Sequence, residues 1–408
     1  MPMIRSYFPP AIQVVMIFQI SWKGVSIFPR SLRFTLIKNN NELFDRYLVL
    51  PFLALTCLSL VFIYSSSNVM ANEIYSDPYF FFKRQLFAIS IALIASAIFL
   101  FIPTSFYREN GAILVVVSIL LLFLVALPFI GTEVNGSRRW LNLRIFNLQP
   151  SEVAKIFIPI YLCGYCLRRK EQLETKWRGF LKPLILVAIC CLLLLLEPDV
   201  GATAVLFAVS IIILFLGGAK TSQLIMLAFI FIALISTFVY FDEERFSRVL
   251  SFSDPFDDPF GTDYQLLNAL IASVQGGIFG MGVGESTQKY FFLPEAHTDF
   301  IFSIYIEESG ILGLIVLTVI YGVILFRLFL LAKESAKKNF FFIHLLISSF
   351  FLIFFIQTLL NIFVNLGILP TKGLALPFMS YGRSSVIMNF IALAITLRAS
   401  WELRNNIR

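Results

Sequence analysis

The chain is dominated by apolar stretches of about 20 residues, the length that a helix needs to cross the hydrocarbon core of a membrane. In lipid, only helices and closed barrels satisfy every backbone hydrogen bond, and long apolar runs without alternation indicate helices. The stretches predict an all-α, polytopic integral membrane protein with about ten transmembrane helices. The predicted spans are 48–67, 82–102, 112–130, 152–168, 180–197, 200–217, 222–240, 303–329, 340–363 and 379–398.

The composition excludes a large soluble domain. Apolar residues make up 58% of the chain and charged residues 14%, whereas soluble domains have about 45–50% and about 25%. We therefore predict one membrane domain over 48–398, with a cytoplasmic N-terminal tail over 1–47 and a cytoplasmic C-terminal tail over 399–408.

The positive charge predicts the orientation of the chain. Its formal net charge is +7, and the basic residues concentrate before the first span, between spans four and five, and after the last span. Because cytoplasmic loops carry the excess of Lys and Arg, both termini are expected in the cytoplasm. The basic residues orient the protein and do not indicate nucleic acid.

With this orientation, the unusual polar residues gather on the outer face of the membrane. They occupy four segments, which are 135–155, 197–203, a large outer loop over 241–302 between spans seven and eight, and 365–385. Charged groups at membrane depth are costly unless they face a cavity, water or a partner. We therefore expect the four segments to converge on one functional site.

The most informative outer segment is LPEAHTDFIFSIYIEESG, residues 293–310. Asp299 stands just before the eighth span, where it is able to cap the helix, but Thr298 serves that role equally well and leaves Asp299 free. Glu307 lies deeper, where burial favours its neutral form unless a lysine pairs with it. His297 is either an interface residue or a partner for an acid.

Two further segments carry charges whose roles stay open. In QPSEVAK, Glu152 and Lys155 are three residues apart and share a helix face, as a structural lock or as part of a site. Arg139, beside Trp140, suits a diphosphate or anchors the chain at lipid headgroups. Glu197 and Asp199 are either solvated turn residues or site residues.

Glycine and proline mark two irregular regions. The segment QGGIFGMGVGES is a weak nucleotide signature because no strand precedes it, and a closely packed loop is favoured. Lys372 and Ser380 lie in a stretch rich in Pro and Gly, and irregular backbone at membrane depth is tolerated only where it is buried or lines a cavity. We expect a cavity that opens outward there.

Taken in order, these motifs resemble the SEDS family, whose name stands for shape, elongation, division and sporulation. The resemblance is carried by RRW…QPSEVAK, PDVGAT, YQ…GGIFGMGVG, LPEAHTDFIFS…EESG and NLGILPTKGLALPFMSYG, which span most of residues 130–385. The TKG before LALPFMSYG is more similar to the division member than to the elongation member. The chain departs from the family at Arg383, where the family usually has glycine.

The resemblance implies a peptidoglycan glycosyltransferase that polymerises lipid II during division, at the outer face of the bacterial inner membrane and at the septum. The family's catalytic acid maps onto Asp299, which would activate the acceptor hydroxyl in an inverting displacement. The resemblance implies no certain cofactor and leaves a divalent cation open. The substrate-binding residues predicted are Arg139, Trp140, Glu152, Lys155, His297, Lys372 and Ser380.

Polymerisation leaves the cross-linking of the glycan strands undone. The resemblance therefore implies a class B penicillin-binding protein transpeptidase as partner, together with other divisome membrane proteins. The alternatives are a lipid II flippase, an elongation polymerase and a structural scaffold. Transporters usually show internal repeats, and the absence of a convincing repeat in the sequence disfavours transport.

Overall fold

The computed structural model describes residues 44–127, 129–134, 137–144, 146–242, 246–247, 258, 261, 263–371 and 373–407. Most of the predicted N-terminal tail over 1–47 lies outside these residues, and so does Lys372. The tail's last two residues belong to the first helix, which begins at Arg46.

The described residues form helices at every predicted span. The helices are α1 (Arg46–Tyr75), α2 (Phe80–Phe101), α3 (Thr104–Ala126), α4 (Pro150–Arg168), α5 (Lys170–Thr175), α6 (Trp177–Leu196), α7 (Val200–Leu216), α8 (Thr221–Tyr240), α9 (Tyr264–Gln275), α10 (Ile301–Lys337), α11 (Phe341–Asn365) and α12 (Arg383–Arg404). Eight of them are long and apolar enough to cross a membrane, and the remaining two predicted spans fall on α4 and the shorter apolar α7. The predicted all-α, polytopic membrane fold is confirmed.

Two elements in the outer segments were not predicted. A three-stranded antiparallel sheet connects α3 to α4, with strands β1 (Gly131–Val134), β2 (Ser137–Asn142) and β3 (Asn147–Leu148). The strands are four, six and two residues long, and their sequences GTEV, SRRWLN and NL lack the alternation of apolar and polar residues that predicts a half-buried strand. Helix α9 lies within 241–302, which had been predicted as a loop.

The last helix extends past its predicted end at 398, as far as Arg404. Inside this extension Arg398 pairs with Glu402 at 2.7 Å, and both side chains are buried. Hydropathy ends the span too early because the charged pair is buried among helices rather than exposed to solvent. The first residues of the predicted C-terminal tail are therefore part of α12.

Successive spans run in alternate directions. Helices α1, α3, α6 and α11 finish at the end of the bundle where α4, α7, α10 and α12 begin, which we call the site end. The opposite end, where Asp45 contacts Arg404, is the termini end. Helix α12 is the most enclosed of the long apolar helices described, and α8 the least.

Candidate active site

Asp299 lies two residues before α10 begins, and helix α11 fixes its backbone. The Asp299 carbonyl accepts hydrogen bonds from Asn361 Nδ2 at 3.0 Å and from Asn365 Nδ2 at 3.1 Å. Ser303 on α10 donates to Asn365 Oδ1 at 2.8 Å. These contacts join the start of α10 to the end of α11, so Asp299 is held between two packed helices.

The Asp299 carboxylate is left free of the helix. The N-cap residue of α10 is Phe300, which makes no side-chain capping bond, and Thr298 donates instead to Glu295 at 2.8 Å. Gly373 approaches the carboxylate so closely that a Cβ atom there would lie 2.7 Å from Oδ2. The partly buried carboxylate therefore faces a backbone that only glycine provides.

Burial raises the pKa of Asp299 to about 7. The neighbouring charge of Glu295 raises this pKa further, Arg139 lowers it, and Asp199 raises it by a smaller amount. A carboxyl whose pKa lies near neutral pH gains and loses its proton easily, as a general base requires.

Arg139 connects the sheet to the turn between α6 and α7. Its guanidinium donates to the carbonyl of Glu197 at 3.0 Å and to that of Pro198 at 2.8 Å. Trp140, the next residue on β2, is partly exposed and pairs with Thr132 of β1. The sheet thus fixes Arg139 near Asp299.

Glu197 and Asp199 are both buried, so the alternative of solvated turn residues is wrong. Asp199 caps α7 by accepting the Ala202 N–H at 3.0 Å. Neither carboxyl oxygen of Glu197 has a hydrogen-bond partner within the described ranges. Burial raises the pKa of Glu197 to about 9, Asp199 raises it further and Arg139 lowers it. Glu197 is therefore neutral at pH 7.

Glu152 and Lys155 form a buried ion pair at 2.7 Å on the first turns of α4. Gln357 of α11 links this pair to the glycine-containing segment beside Asp299. Its Oε1 lies 3.4 Å from Lys155 Nζ, and its Nε2 donates to the Ala375 carbonyl at 2.9 Å. The ion pair therefore supports the segment that contacts Asp299.

Glu307, by contrast, accepts hydrogen bonds from Ser286 and Thr287 rather than from a lysine.

His297 packs between two aromatic rings, with ring centroids 4.3 Å from Phe81 and 5.5 Å from Tyr381. Its carbonyl accepts the Tyr381 N–H at 2.9 Å. Burial lowers the pKa of His297 to about 4, so the ring is neutral at pH 7. Ser380, the residue before Tyr381, is buried, and its hydroxyl accepts the Leu376 N–H at 2.7 Å.

The structure thus brings the four polar segments together at the site end. Gln357 and Gly373 connect the Glu152–Lys155 pair with Asp299 through contacts that the sequence had not revealed. Arg139 acts on Asp299 through its charge. A glutamine in an apolar span was the available signal for Gln357, since polar residues inside membranes are costly. Gly373 carries no such signal because its role depends on what packs against it.

The described residues contain no group of three or more His, Cys, Asp or Glu side chains arranged to hold a metal ion. The divalent cation stays a prediction.

The fold and the site together define a polytopic helical membrane protein whose acidic residues gather, buried or partly buried, at one end of the bundle. The chain belongs to the cell cycle protein family of FtsW, RodA and SpoVE, whose model matches residues 45–405. The SEDS resemblance is thereby confirmed.

Relatives of known name agree with the family. The chain is 43% identical over 340 residues to a probable peptidoglycan glycosyltransferase FtsW of Buchnera aphidicola subsp. Schizaphis graminum, covering 83% of this chain and 96% of that protein. It is 40% identical over 358 residues to the protein of the same name from Marinomonas mediterranea, covering 88% of each.

Solved structures share the fold. A chain of a peptidoglycan synthase complex that coordinates polymerization and crosslinking has a TM-score of 0.71 and 27% identity, covering 90% of this chain and 99% of that chain. The rod shape determining protein RodA of Thermus thermophilus has a TM-score of 0.65 and 26% identity, covering 89% and 99%.

Proposed function

We propose that this chain is a peptidoglycan glycosyltransferase that polymerises lipid II into glycan strands during cell division. The observation that carries the proposal is Asp299, a carboxyl with a pKa near 7 held by α11 at the site end of a chain in this family. Relatives named FtsW are about 40% identical, whereas RodA of Thermus thermophilus is 26% identical. This difference favours division over elongation.

Asp299 acts as the general base in this proposal. Its carboxylate removes the proton of the acceptor sugar's 4-hydroxyl, and the oxygen attacks the anomeric carbon of the donor sugar. The bond from that carbon to undecaprenyl diphosphate breaks, and the electron pair leaves with the diphosphate. This single displacement inverts the anomeric centre, and Asp299 then releases its proton to solvent.

The remaining predicted residues position the substrates or set the charge around them. Arg139 and Lys155, together with Lys372, supply positive potential that steadies the departing diphosphate. The Glu152–Lys155 pair and Gln357 hold the segment beside Asp299. Trp140, His297 and Ser380 form the rest of the predicted substrate-binding site. A divalent cation would add a further positive charge, and its role is tested by assaying polymerisation with a chelator and with added Mg²⁺ or Mn²⁺.

The chain is a multi-pass membrane protein, and we place it in the bacterial inner membrane at the division septum. The excess of basic residues supports cytoplasmic termini and hence a site end that faces outward. The orientation is tested by fusing a reporter protein to the chain after Arg404 and choosing a reporter that is active on only one side of the membrane. A reporter located on the outer side would overturn the proposed orientation.

Cross-linking of the glycan strands requires a partner. A class B penicillin-binding protein fits this role, and other divisome membrane proteins would join the assembly. The solved peptidoglycan synthase complex supports this proposal because its chain shares the fold over 90% of this one.

The deciding experiment is polymerisation of purified lipid II, with and without the cognate penicillin-binding protein, by wild type and Asp299→Asn. We expect glycan strands from wild type and a loss of at least about a hundredfold in the variant, in line with loss of a general base. No strands from folded, partner-bound wild type would overturn the proposal. Flipping of labelled lipid II in liposomes by Asp299→Asn would then support the flippase.

A further inference from the structure

Two arginines and a glutamine meet where α12 begins. Helix α2 packs along α12, and this packing brings Arg84 and Gln85 to the turn formed by Tyr381, Gly382 and Arg383. We call these five residues the α12 cluster. The mechanism proposed above assigns none of them a role.

Gln85 has an unused hydrogen-bond donor inside the protein. The residue is fully buried, and its Oε1 accepts the Gly382 N–H at 3.4 Å. This contact fixes the amide orientation, because the flipped amide would place two donors against each other. Nε2 is buried and has no acceptor in the part of the chain that the structure describes. A buried amide N–H without an acceptor destabilises the protein, so Nε2 points to a ligand that brings an acceptor.

Arg383 occupies the first position of α12, where the helix dipole is positive. A cation at this end is unfavourable unless an anion balances it. Across the ranges that the structure describes, no carboxylate forms an ion pair with Arg383 or Arg84. Arg84 stacks over the Phe80 ring at 3.9 Å and lies beside the Tyr381 hydroxyl. Two positive charges therefore lie at a positive helix end.

Backbone donors face the same place. The Val386 N–H donates to the Gly382 carbonyl at 2.9 Å, so the amides of residues 383–385 are the first-turn donors that an α-helix leaves open. Amides of a helix N-terminus and guanidinium groups together bind phosphate. The α12 cluster offers both, with the Gln85 amide in addition.

The α12 cluster adjoins the candidate active site. The Tyr381 N–H donates to the carbonyl of His297, two residues before Asp299. On the following turn, Ser384 accepts the Gln149 N–H at 2.9 Å, immediately before α4. A group bound at the cluster therefore lies between the Asp299 segment and the start of α4.

We propose that the α12 cluster binds a phosphate group of a membrane-anchored lipid, namely the diphosphate of the sugar donor. This inference rests on the proposed function and deepens it. Arg383 and Arg84 present guanidinium forks to the phosphate oxygens, and Gln85 Nε2 and the first-turn amides of α12 donate to the same group. Arg139 and Lys155 act at longer range, since both are already engaged with protein groups.

The test measures binding of undecaprenyl diphosphate to the full chain in lipid nanodiscs. We expect Arg383→Gln to weaken binding about tenfold, which corresponds to about 1.4 kcal/mol, and Arg383→Lys to weaken it less because the charge is kept. Gln85→Leu should also weaken binding. The matched control is Lys83→Gln, which removes a neighbouring surface cation paired with Asp77 and should change the affinity less than twofold.

Equal binding by folded Arg383→Gln and wild type would overturn the proposal, with folding checked by thermal melting. Phosphatidylglycerol provides the second arm. If it binds as tightly and with the same dependence on Arg383, the α12 cluster is a phospholipid headgroup site and the donor assignment is wrong. Because the readout is binding, Asp299→Asn separates the two proposals. Polymerisation by that variant would overturn the base assignment and leave the binding result standing.

Discussion

At the scale of single residues, the protonation of Asp299 is set by opposing neighbours. Burial and the charge of Glu295 favour the neutral carboxyl, whereas Arg139 favours the carboxylate. The balance places the pKa near 7, so the base is about half ionised at neutral pH. A change in either neighbour should move the pH at which the enzyme becomes active.

We predict that polymerisation rises with pH through a midpoint near 7, because only the carboxylate of Asp299 accepts a proton. Glu295→Gln removes a negative charge, lowers the pKa of Asp299 and should move the rising limb to lower pH. The glutamine retains an oxygen that accepts from Thr298. The measurement is the rate of lipid II polymerisation from pH 5 to 9. The control is Glu334→Gln at the termini end, measured over the same range. A midpoint that Glu295→Gln leaves in place would contradict the assignment.

Gly373 offers a second residue-level prediction. A Cβ atom at this position would lie 2.7 Å from Asp299 Oδ2, so Gly373→Ala must displace the carboxylate. A displacement of about 1 Å costs up to about a hundredfold in rate, and we expect a loss of at least tenfold with little change in melting temperature. Gly322→Ala on α10, where the new methyl meets open space, is the matched control and should polymerise at the wild-type rate. Similar rates for both variants would show that Gly373 does not position the carboxylate.

At the scale of elements, α10 and the glycine-rich loop after α9 form one unit. Gly310 interrupts α10 with φ 66° and ψ −164°. Loop amides donate to the carbonyls of Glu307 and Glu308, and amides of α10 just past the break donate back to the carbonyls of Gly277 and Ile278. The loop therefore satisfies the backbone groups that the break leaves open, which explains the glycine motif without a nucleotide.

This pairing predicts different effects for two glycines of the same loop. Both Gly280 and Gly284 have positive φ, at 80° and 92°, but a Cβ at Gly280 would overlap the Glu308 carbonyl, whereas one at Gly284 meets nothing within 4 Å. Gly284→Ala should cost about 1–2 kcal/mol of backbone strain, and Gly280→Ala about 1–3 kcal/mol more from the overlap. Thermal melting in detergent measures both. Equal melting temperatures would mean that the loop does not pack on α10 as described.

At the scale of the whole bundle, a charged cluster ties three helices together at the termini end, opposite the active site. Asp45, at the N-cap of α1, is buried and pairs with Arg327 of α10 at 2.6 Å and with Arg404 of α12. A buried carboxylate that accepts from two guanidinium groups is stable only while both remain in place. The cluster thus links the first helix to α10 and α12.

We predict that Asp45→Asn destabilises the bundle by about 2 kcal/mol, because charge-assisted hydrogen bonds are lost and two partly buried cations remain. The measurement is the melting temperature of the detergent-solubilised protein. Asp77→Asn, which breaks an exposed pair with Lys83, is the control and should change stability by less than about 1 kcal/mol. A melting temperature unchanged by Asp45→Asn would show that the cluster does not hold the helices.

The spans, the clustering of polar segments on one face and the candidacy of Asp299 could all be predicted from the amino-acid sequence. These follow from local quantities: the length and hydropathy of each apolar run, and the cost of a charge at membrane depth. The relation of Glu152 to Lys155 was equally local, since it depends only on helical spacing.

Which side chains meet at the site depends on how the helices pack. The burial of Glu197, the use of Gln357 as a link and the approach of Gly373 to Asp299 all depend on residues far apart in the sequence. The short strands before α4 and the pairing of the glycine loop with α10 likewise form through contacts between segments. Hydropathy and spacing describe one segment at a time, whereas burial and hydrogen bonding at the site end are properties of several segments packed together.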